Sequence, residues 1–249
     1  SRRRASAQRG VHRRGSEVRP IAHRGCLAQY PENTLEAFRR SAAVVEMIET
    51  DVQRCASGEL VVFHDETLDR VTDVTGEVAS TPLSALKEAS VLGTDESIPL
   101  LTEVFEAVPP SVGLNLELKG SDVAADAVEI AGRYDHEVIV SSFRPDEVED
   151  ARNAGAAAVA YLLYADADAT DEFDTAGALD VAGELGCSYV HPHVHLCLDT
   201  DIVERAHAKG FGVNAWTAEG SDTIAELRAR DVDGVVIDDC GLADECRDG

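Results

Sequence analysis

Eight short apolar runs, each separated from the next by a longer connecting stretch, limit this chain more than any other feature. They are RPIAHRG, MIETDV, GLNLELKG, HEVIVSSF, AAVAYLLY, CSYVHPHV, GFGVNAWT and DGVVIDD. Most are rich in Val, Ile, Leu and Ala without polar alternation, the pattern of parallel strands covered on both faces. Helix-forming segments lie between them: NTLEAFRRSAAVV, LTEVFEAV, VAADAVEIAGR, PDEVEDARNAG, TAGALDVAGELG, TDIVERAHAKG and SDTIAELRARD. Several end in or precede Gly, as C-caps do. In the first, Asn33 reads as the N-cap, with Glu36 three residues on completing a capping box. Eight parallel strands joined by helices give an α/β fold, a (β/α)8 TIM barrel of typical length about 250 residues, and the chain has 249. An open doubly wound sheet is the rival, but no GxGxxG follows a strand.

Two places break the alternation. No helix fits between Val52 and Leu60, so ELVVFHD must return on the second strand as an antiparallel arm around a turn near Ser57. Residues 66–98 carry Thr, Asp, Gly and Pro signals with little periodicity and read as a small insertion. The expected organisation is a disordered basic tail over residues 1–19 and one barrel domain over 20–249.

Charge narrows the setting. The tail holds seven Arg and one Glu; setting it aside, the 22 basic residues become 15 and the 47 acidic ones 46, a formal charge of −31. Only Lys87, Lys119 and Lys209 are lysines. Such self-repulsion is tolerable where salt screens it, the Debye length being about 3 Å at 1 M, so a high-salt cytoplasm is expected. The acidic remainder argues against nucleic acid as a partner of the basic tail. No apolar run approaches the roughly 18 residues of a membrane span, so stable membrane insertion is not expected. Oligomeric state is not legible. Cysteines at 26, 55, 187, 197, 240 and 246 form no CxxC pair or dense framework and read as free thiols in a reducing compartment.

The chemistry lies where the apolar runs end. Side chains two apart on a strand share a face, so Glu49 and Asp51 point the same way, as do Glu117 and Lys119. In a barrel these pairs fall near the C-terminal mouth, where barrel active sites form. The turn near Ser57 sets His64 opposite Thr50, and His23 and Arg24 end the first run at the same mouth. Three converging carboxylates call for a cation, and an all-oxygen set suits Mg²⁺ or Ca²⁺ better than zinc. Arg24 offers a fork for a phosphate and Lys119 a point charge. Two histidines titrating near neutrality suit general acid and base. Together these point to attack on a phosphorus ester.

HPHVH is a rival constellation, placing His191, His193 and His195 at period two. Neighbours on one strand face lie about 7 Å apart, too far for three to share one ion without a bend at Pro192. They read as lumen or rim residues. His12, His136 and His207 fall in tail, loop and helix contexts and read as surface groups.

AHRG, PENT, ETDV, FHDETLDRVT, LELK, SSF, NAWT and DGVVID occur in that order between residues 22 and 238. The set resembles the glycerophosphodiester phosphodiesterases, within the wider phospholipase C-like phosphodiesterase barrels. The resemblance implies hydrolysis of a small glycerophosphodiester to glycerol phosphate and an alcohol. It implies one divalent cation on Glu49, Asp51 and Glu117, His23 and His64 as the acid/base pair, and Arg24 and Lys119 on the phosphate. It further implies Trp216 along the glycerol or leaving-group side, and an insertion after His64 that shapes the entrance. Ile237 departs from the family pattern, which usually has Thr there. A phospholipase- or sphingomyelinase-type phosphodiesterase and a non-catalytic phosphodiester-binding barrel are the alternatives.

Overall fold

The computed structural model of the chain describes residues 18–247. Its strands are β1 (Arg19–Ala22), β2 (Met47–Arg54), β3 (Leu60–Val62), β4 (Gly113–Leu118), β5 (Val138–Ser142), β6 (Val159–Leu163), β7 (Tyr189–Pro192), β8 (Gly212–Ala218) and β9 (Gly234–Ile237). All but β3 run parallel, in the order β1-β9-β8-β7-β6-β5-β4-β2, and β1 pairs with β2 through Ile21↔Met47 and Ala22↔Ile48 to close the ring. Each of the eight expected runs supplies one barrel strand.

The arm is β3. It lies antiparallel on β2 with Val52 opposite Val62, a register that sets His64 opposite Thr50. β1 occupies the first part of this β2 edge, at Met47 and Ile48, and β3 takes over beyond it. Period two divides the arm's side chains: Leu60 and Val62 join the barrel's main apolar layer, while Val61 and Phe63 pack with Leu68, Val71, Val78, Leu86, Val91 and Ile98 of the insertion. The insertion thus has an apolar cluster of its own.

Helices α1 (Leu35–Ser41), α3 (Leu101–Ala107), α4 (Ala124–Ala131), α5 (Pro145–Asn153), α6 (Thr175–Glu184), α8 (Ile202–Ala208) and α9 (Ser221–Ala229) match the expected segments. Three more are short: α2 (Leu83–Leu86) in the insertion, α7 (Val194–Asp199) and α10 (Ala243–Arg247). Alternate strand residues such as Ala22, Ile48, Leu114, Leu116 and Val140 face outward and pack in one layer with Phe38, Val104 and Phe105 of the helices. Each large side chain so buried contributes about 1.5–3 kcal/mol. Ile21, Met47, Ile139, Ala160 and Val236 form a separate cluster from five strands, which is the barrel lumen.

Four expectations change. The cap of α1 is Thr34, whose Oγ1 accepts from the Ala37 N–H at 3.2 Å, because Asn33 has turned into the site described below. His193 and His195 do not share a strand face with His191: β7 stops at Pro192, His193 caps α7 and His195 lies within it. Val18 and Arg19 belong to the barrel, Arg19 opening β1 and pairing with Glu137 at 2.8 and 2.9 Å; the rest of the expected tail, with His12, lies outside the described residues. Two cysteines are not free thiols. Cys26 and Cys240 form a disulfide across 214 residues of sequence, a pairing hidden in the spacing because it depends on the first and last barrel strands being neighbours. Cys55, Cys197 and Cys246 are buried thiols and Cys187 is half-buried. Burial pushes Cys187, Cys197 and Cys246 up to about 12. Among the described residues no helix is long and apolar enough to cross a membrane.

Candidate active site

Met47 faces the lumen, so Glu49 and Asp51, at the same parity of β2, face it too, nearer the C-terminal mouth. The register Asp51↔Glu117 brings in the third carboxylate from β4. One oxygen from each of Glu49, Asp51 and Glu117 lies within 4.8 Å of the others. Glu49 is 4 % exposed and Asp51 1 %. Burial raises Glu49 well above the usual carboxylate range, and the charges of Asp51 and Glu117 add to it. Burial also raises Glu117, with Asp51 adding. For Asp51 burial is outweighed by Lys119, Arg24 and His64, and the carboxyl is held low.

Buried Glu49 Oε1 and Asp51 Oδ1 have no hydrogen-bond partner. Unsatisfied buried oxygens are costly, and here they converge in an all-oxygen donor set. The residues therefore fit a hard divalent ion, which would be held by Glu49, Asp51 and Glu117.

Two cations sit against this cluster. Lys119 pairs with Glu117 and lies 3.1 Å from Asp51 Oδ1, close enough for charge but without hydrogen-bond alignment. Arg24 Nε is likewise 3.3 Å from Asp51 Oδ2 with no aligned partner, while its Nη1 donates to Glu32 Oε1 at 2.9 Å. The Arg24 backbone N–H donates to Glu49 Oε2 at 3.1 Å. That geometry comes from a tight turn in which Arg24, Gly25 and Cys26 all have positive φ, of 49°, 80° and 69°. Gly25 is required there twice over, since a Cβ would also lie 2.7 Å from Ala37 Cβ.

Both histidines are backed by an aspartate. His23 Nδ1 is 2.6 Å from Asp238 Oδ1, and His64 Nδ1 is 2.6 Å from Asp65 Oδ1. A carboxylate only accepts, so Nδ1–H donates in each pair and Nε2 is left for chemistry. His23 Nε2 lies 3.9 Å from Glu49 Oε2. His64 is pulled below its ordinary value mainly by burial, against the opposing charge of Asp51. Asp65 is held down at about 2, first by Arg70, which binds it at 2.5 and 3.0 Å.

The other half of the mouth is aromatic. Trp216 on β8 packs edge-on against Phe143 at 5.5 Å and His193 at 4.9 Å, and nearly parallel to Tyr164 at 6.0 Å between centroids. Its Nε1 donates to the His191 carbonyl at 2.8 Å. His191 itself is 2 % exposed, bonded to Asn214 at 3.0 Å and driven by burial down to about 3. It is a neutral lumen residue. His136 bonds to the Val108 carbonyl and His207 to Asp233, both at 2.9 Å and only partly exposed.

The sequence-predicted site residues from β1, β2, β4 and the arm therefore meet on one side, and Trp216 stands across the lumen. Several partners escaped sequence reasoning. Asn33 donates to Asp51 Oδ2 at 2.8 Å and accepts from Thr50 Oγ1 at 3.0 Å. Glu32 accepts from both Arg24 and Arg70. Asp238 and Asp65 orient the histidines. PENT, HD and DRVT were visible as motif pieces; what was missing was the loop geometry that turns them inward.

Fold and site define a (β/α)8 enzyme with its chemistry at the C-terminal mouth. The model of the glycerophosphoryl diester phosphodiesterase family matches residues 23–242. A glycerophosphodiester phosphodiesterase of Caldanaerobacter subterraneus is 30% identical over 234 residues, 88% of this chain and 93% of that protein. A phosphodiesterase of Oleispira antarctica, solved with the product sn-glycerol-3-phosphate, superposes with TM-score 0.82 at 27% identity, covering 92% of this chain and 96% of that one. The glycerophosphodiester phosphodiesterase of Thermotoga maritima does so with TM-score 0.80 at 26% identity, over 95% and 100% of the two chains. The chain belongs to the glycerophosphoryl diester phosphodiesterase family.

Proposed function

We propose that this enzyme hydrolyses glycerophosphodiesters to a glycerol phosphate and an alcohol, using His23 and His64 as its acid/base pair and one divalent cation, Mg²⁺ or Ca²⁺. The observation that carries the reading is the pair of histidines, each with Nδ1 held by an aspartate, beside three converging carboxylates. Glu49, Asp51 and Glu117 hold the ion, which when bound supplies Lewis-acid polarisation of a phosphoryl oxygen. Arg24 and Lys119 contribute fixed positive charge toward the phosphate. One Nε2 accepts the proton of the attacking hydroxyl, and the other returns a proton to the departing oxygen. Trp216 lies along the organic arm of the substrate.

The working site is a high-salt cytoplasm, as the formal charge of −25 suggests. The Cys26–Cys240 bridge, with Cys26 0 % and Cys240 8 % exposed, is shielded from thiol reductants once formed.

Release of glycerol phosphate from glycerophosphocholine, measured in molar KCl with and without a chelator, tests the proposal. Chelator-sensitive turnover is expected; no such turnover on any glycerophosphodiester overturns it. A second reading, cleavage of a lysophospholipid, is favoured by Phe143 and Tyr164, which stand 42 and 50 % exposed at the mouth. The same assay with a lysophospholipid separates the two.

A further inference from the structure

The disulfide between Cys26 and Cys240 joins the loop that carries one of the two histidines, the Cys26 N–H donating to the His23 carbonyl at 2.9 Å. Cys26 follows His23 by three residues, and Cys240 follows Asp238 by two. The ladder between β1 and β9 ends at Ala22↔Ile237, one residue before His23 and Asp238. Beyond it the two loops are joined by the disulfide, by the Ala28 N–H to Asp238 carbonyl bond at 3.0 Å, and by the exposed Gln29 to Asp239 contact at 2.6 Å. The loop after β1 also holds Arg24 and Cys26 at positive φ, a conformation that persists in non-glycine residues only where the surroundings enforce it.

We propose that the Cys26–Cys240 bond is a positioning element of the hydrolysis, holding the His23 loop against the Asp238 loop so that Nδ1 stays bonded to Asp238 and Nε2 stays aimed at the reacting atoms. The proposal rests on the reading of His23 as one of the acid/base pair. Arg24 is tied independently, through Glu32 and through the Asn33 N–H to its carbonyl. Opening the bridge therefore frees the imidazole while leaving the phosphate contacts in place. Turnover falls and substrate affinity does not.

The test compares the full chain with its Cys26→Ala/Cys240→Ala variant in molar KCl, below the melting temperature of both. Wild-type protein reduced in mild denaturant and returned to buffer is a second route to the open bridge, the dithiol reductant supplying two electrons and two protons per bond. Titration of thiols in the unfolded wild type gives four without reductant and six with it. The expected result is a fall in kcat of about 10-fold with KM nearly unchanged: the bridge acts one step behind the His23–Asp238 bond, and losing such an outer positioning contact typically costs about 10–100-fold. In an Asp238→Ala background, opening the bridge should cost no further activity, because both changes release the same ring. The side-chain ¹⁵N signal of His23 at fixed pH reports its Nδ1 hydrogen bond directly and should shift when the bridge opens. Six free thiols without reductant, an unchanged kcat, or an equal loss in the Asp238→Ala background would each overturn the proposal. If the wild type turns over no glycerophosphodiester, the functional reading fails, and the ¹⁵N signal alone decides whether the bridge holds the ring.

Discussion

Arg70 of the insertion donates two hydrogen bonds of 2.8 Å to Glu32, which lies in the loop after the first barrel strand. The contact extends in both directions: Glu32 accepts from Arg24 at 2.9 Å, and Arg70 also grips Asp65, which orients His64. A line of alternating charge thus runs from Arg24 to the ring of His64. Replacing Arg70 with Ala should lower kcat/KM about 10-fold, through lost orientation of both His64 and Arg24. Lys at that position should rescue little, since it cannot form the two-pronged contact. Steady-state kinetics of both variants measure this.

His64→Ala and His23→Ala should each reduce kcat by roughly 10²–10⁴, the usual worth of a positioned acid or base. Neither ring is core packing, so melting temperatures should move little. Activity within a few-fold of wild type in either variant would remove that residue from the acid/base pair.

A divalent cation that binds the folded protein alone should raise its melting temperature, by about 2.7 kcal/mol of stability at a hundred times Kd. Glu49→Gln should abolish that rise. Without the ion the same variant should be more stable than wild type near neutral pH. Glu49 is raised in the folded state, so its ionisation costs stability that the protonated form, at pH below the unfolded value, does not lose. Calorimetry with and without Mg²⁺ or Ca²⁺ checks both signs.

Asp65 gives the opposite slope. Held at about 2 when folded, against 3.8 for the free group, it contributes stability that is complete above about pH 4 and vanishes as pH falls through 2. Asp65→Asn should therefore narrow the stability gap to wild type over that window and show little further change between pH 5 and 7. Urea midpoints at a series of pH values measure it.

Potassium chloride at molar concentration should stabilise the protein by screening its formal charge of −25. A melting temperature that falls from dilute buffer to 2 M salt would contradict the high-salt assignment.

Much of the fold and of the site is legible in the sequence, and for a physical reason. Parallel strands buried on both faces leave nearly continuous apolar runs, and all eight barrel strands carry one. Period two fixed the shared face of Glu49 and Asp51, and the short connection after Val52 fixed the arm and the place of His64. Asn33 shows where such reasoning ends. Its spacing before α1 suits a helix cap, but buried partners at Asp51 and Thr50 outweigh one backbone N–H, and the cap moves to Thr34. His193 and His195 depart from the alternation similarly, because Pro192 ends β7 and a short helix begins where period two would continue the strand. Asp238 could not be assigned from spacing, since its partner His23 is 215 residues away.

The bridge between Cys26 and Cys240 also changes what kind of object the chain is. Once it forms, the backbone from Cys26 to Cys240 is a covalent loop that holds seven of the eight barrel strands, with β1 just outside it. A single proteolytic cut anywhere between the two cysteines leaves one molecule, with the seam between first and last strands still sewn, so nicked protein should run as two fragments only after reduction. The ring that hydrogen bonds draw around the lumen is repeated in the connectivity of the chain itself.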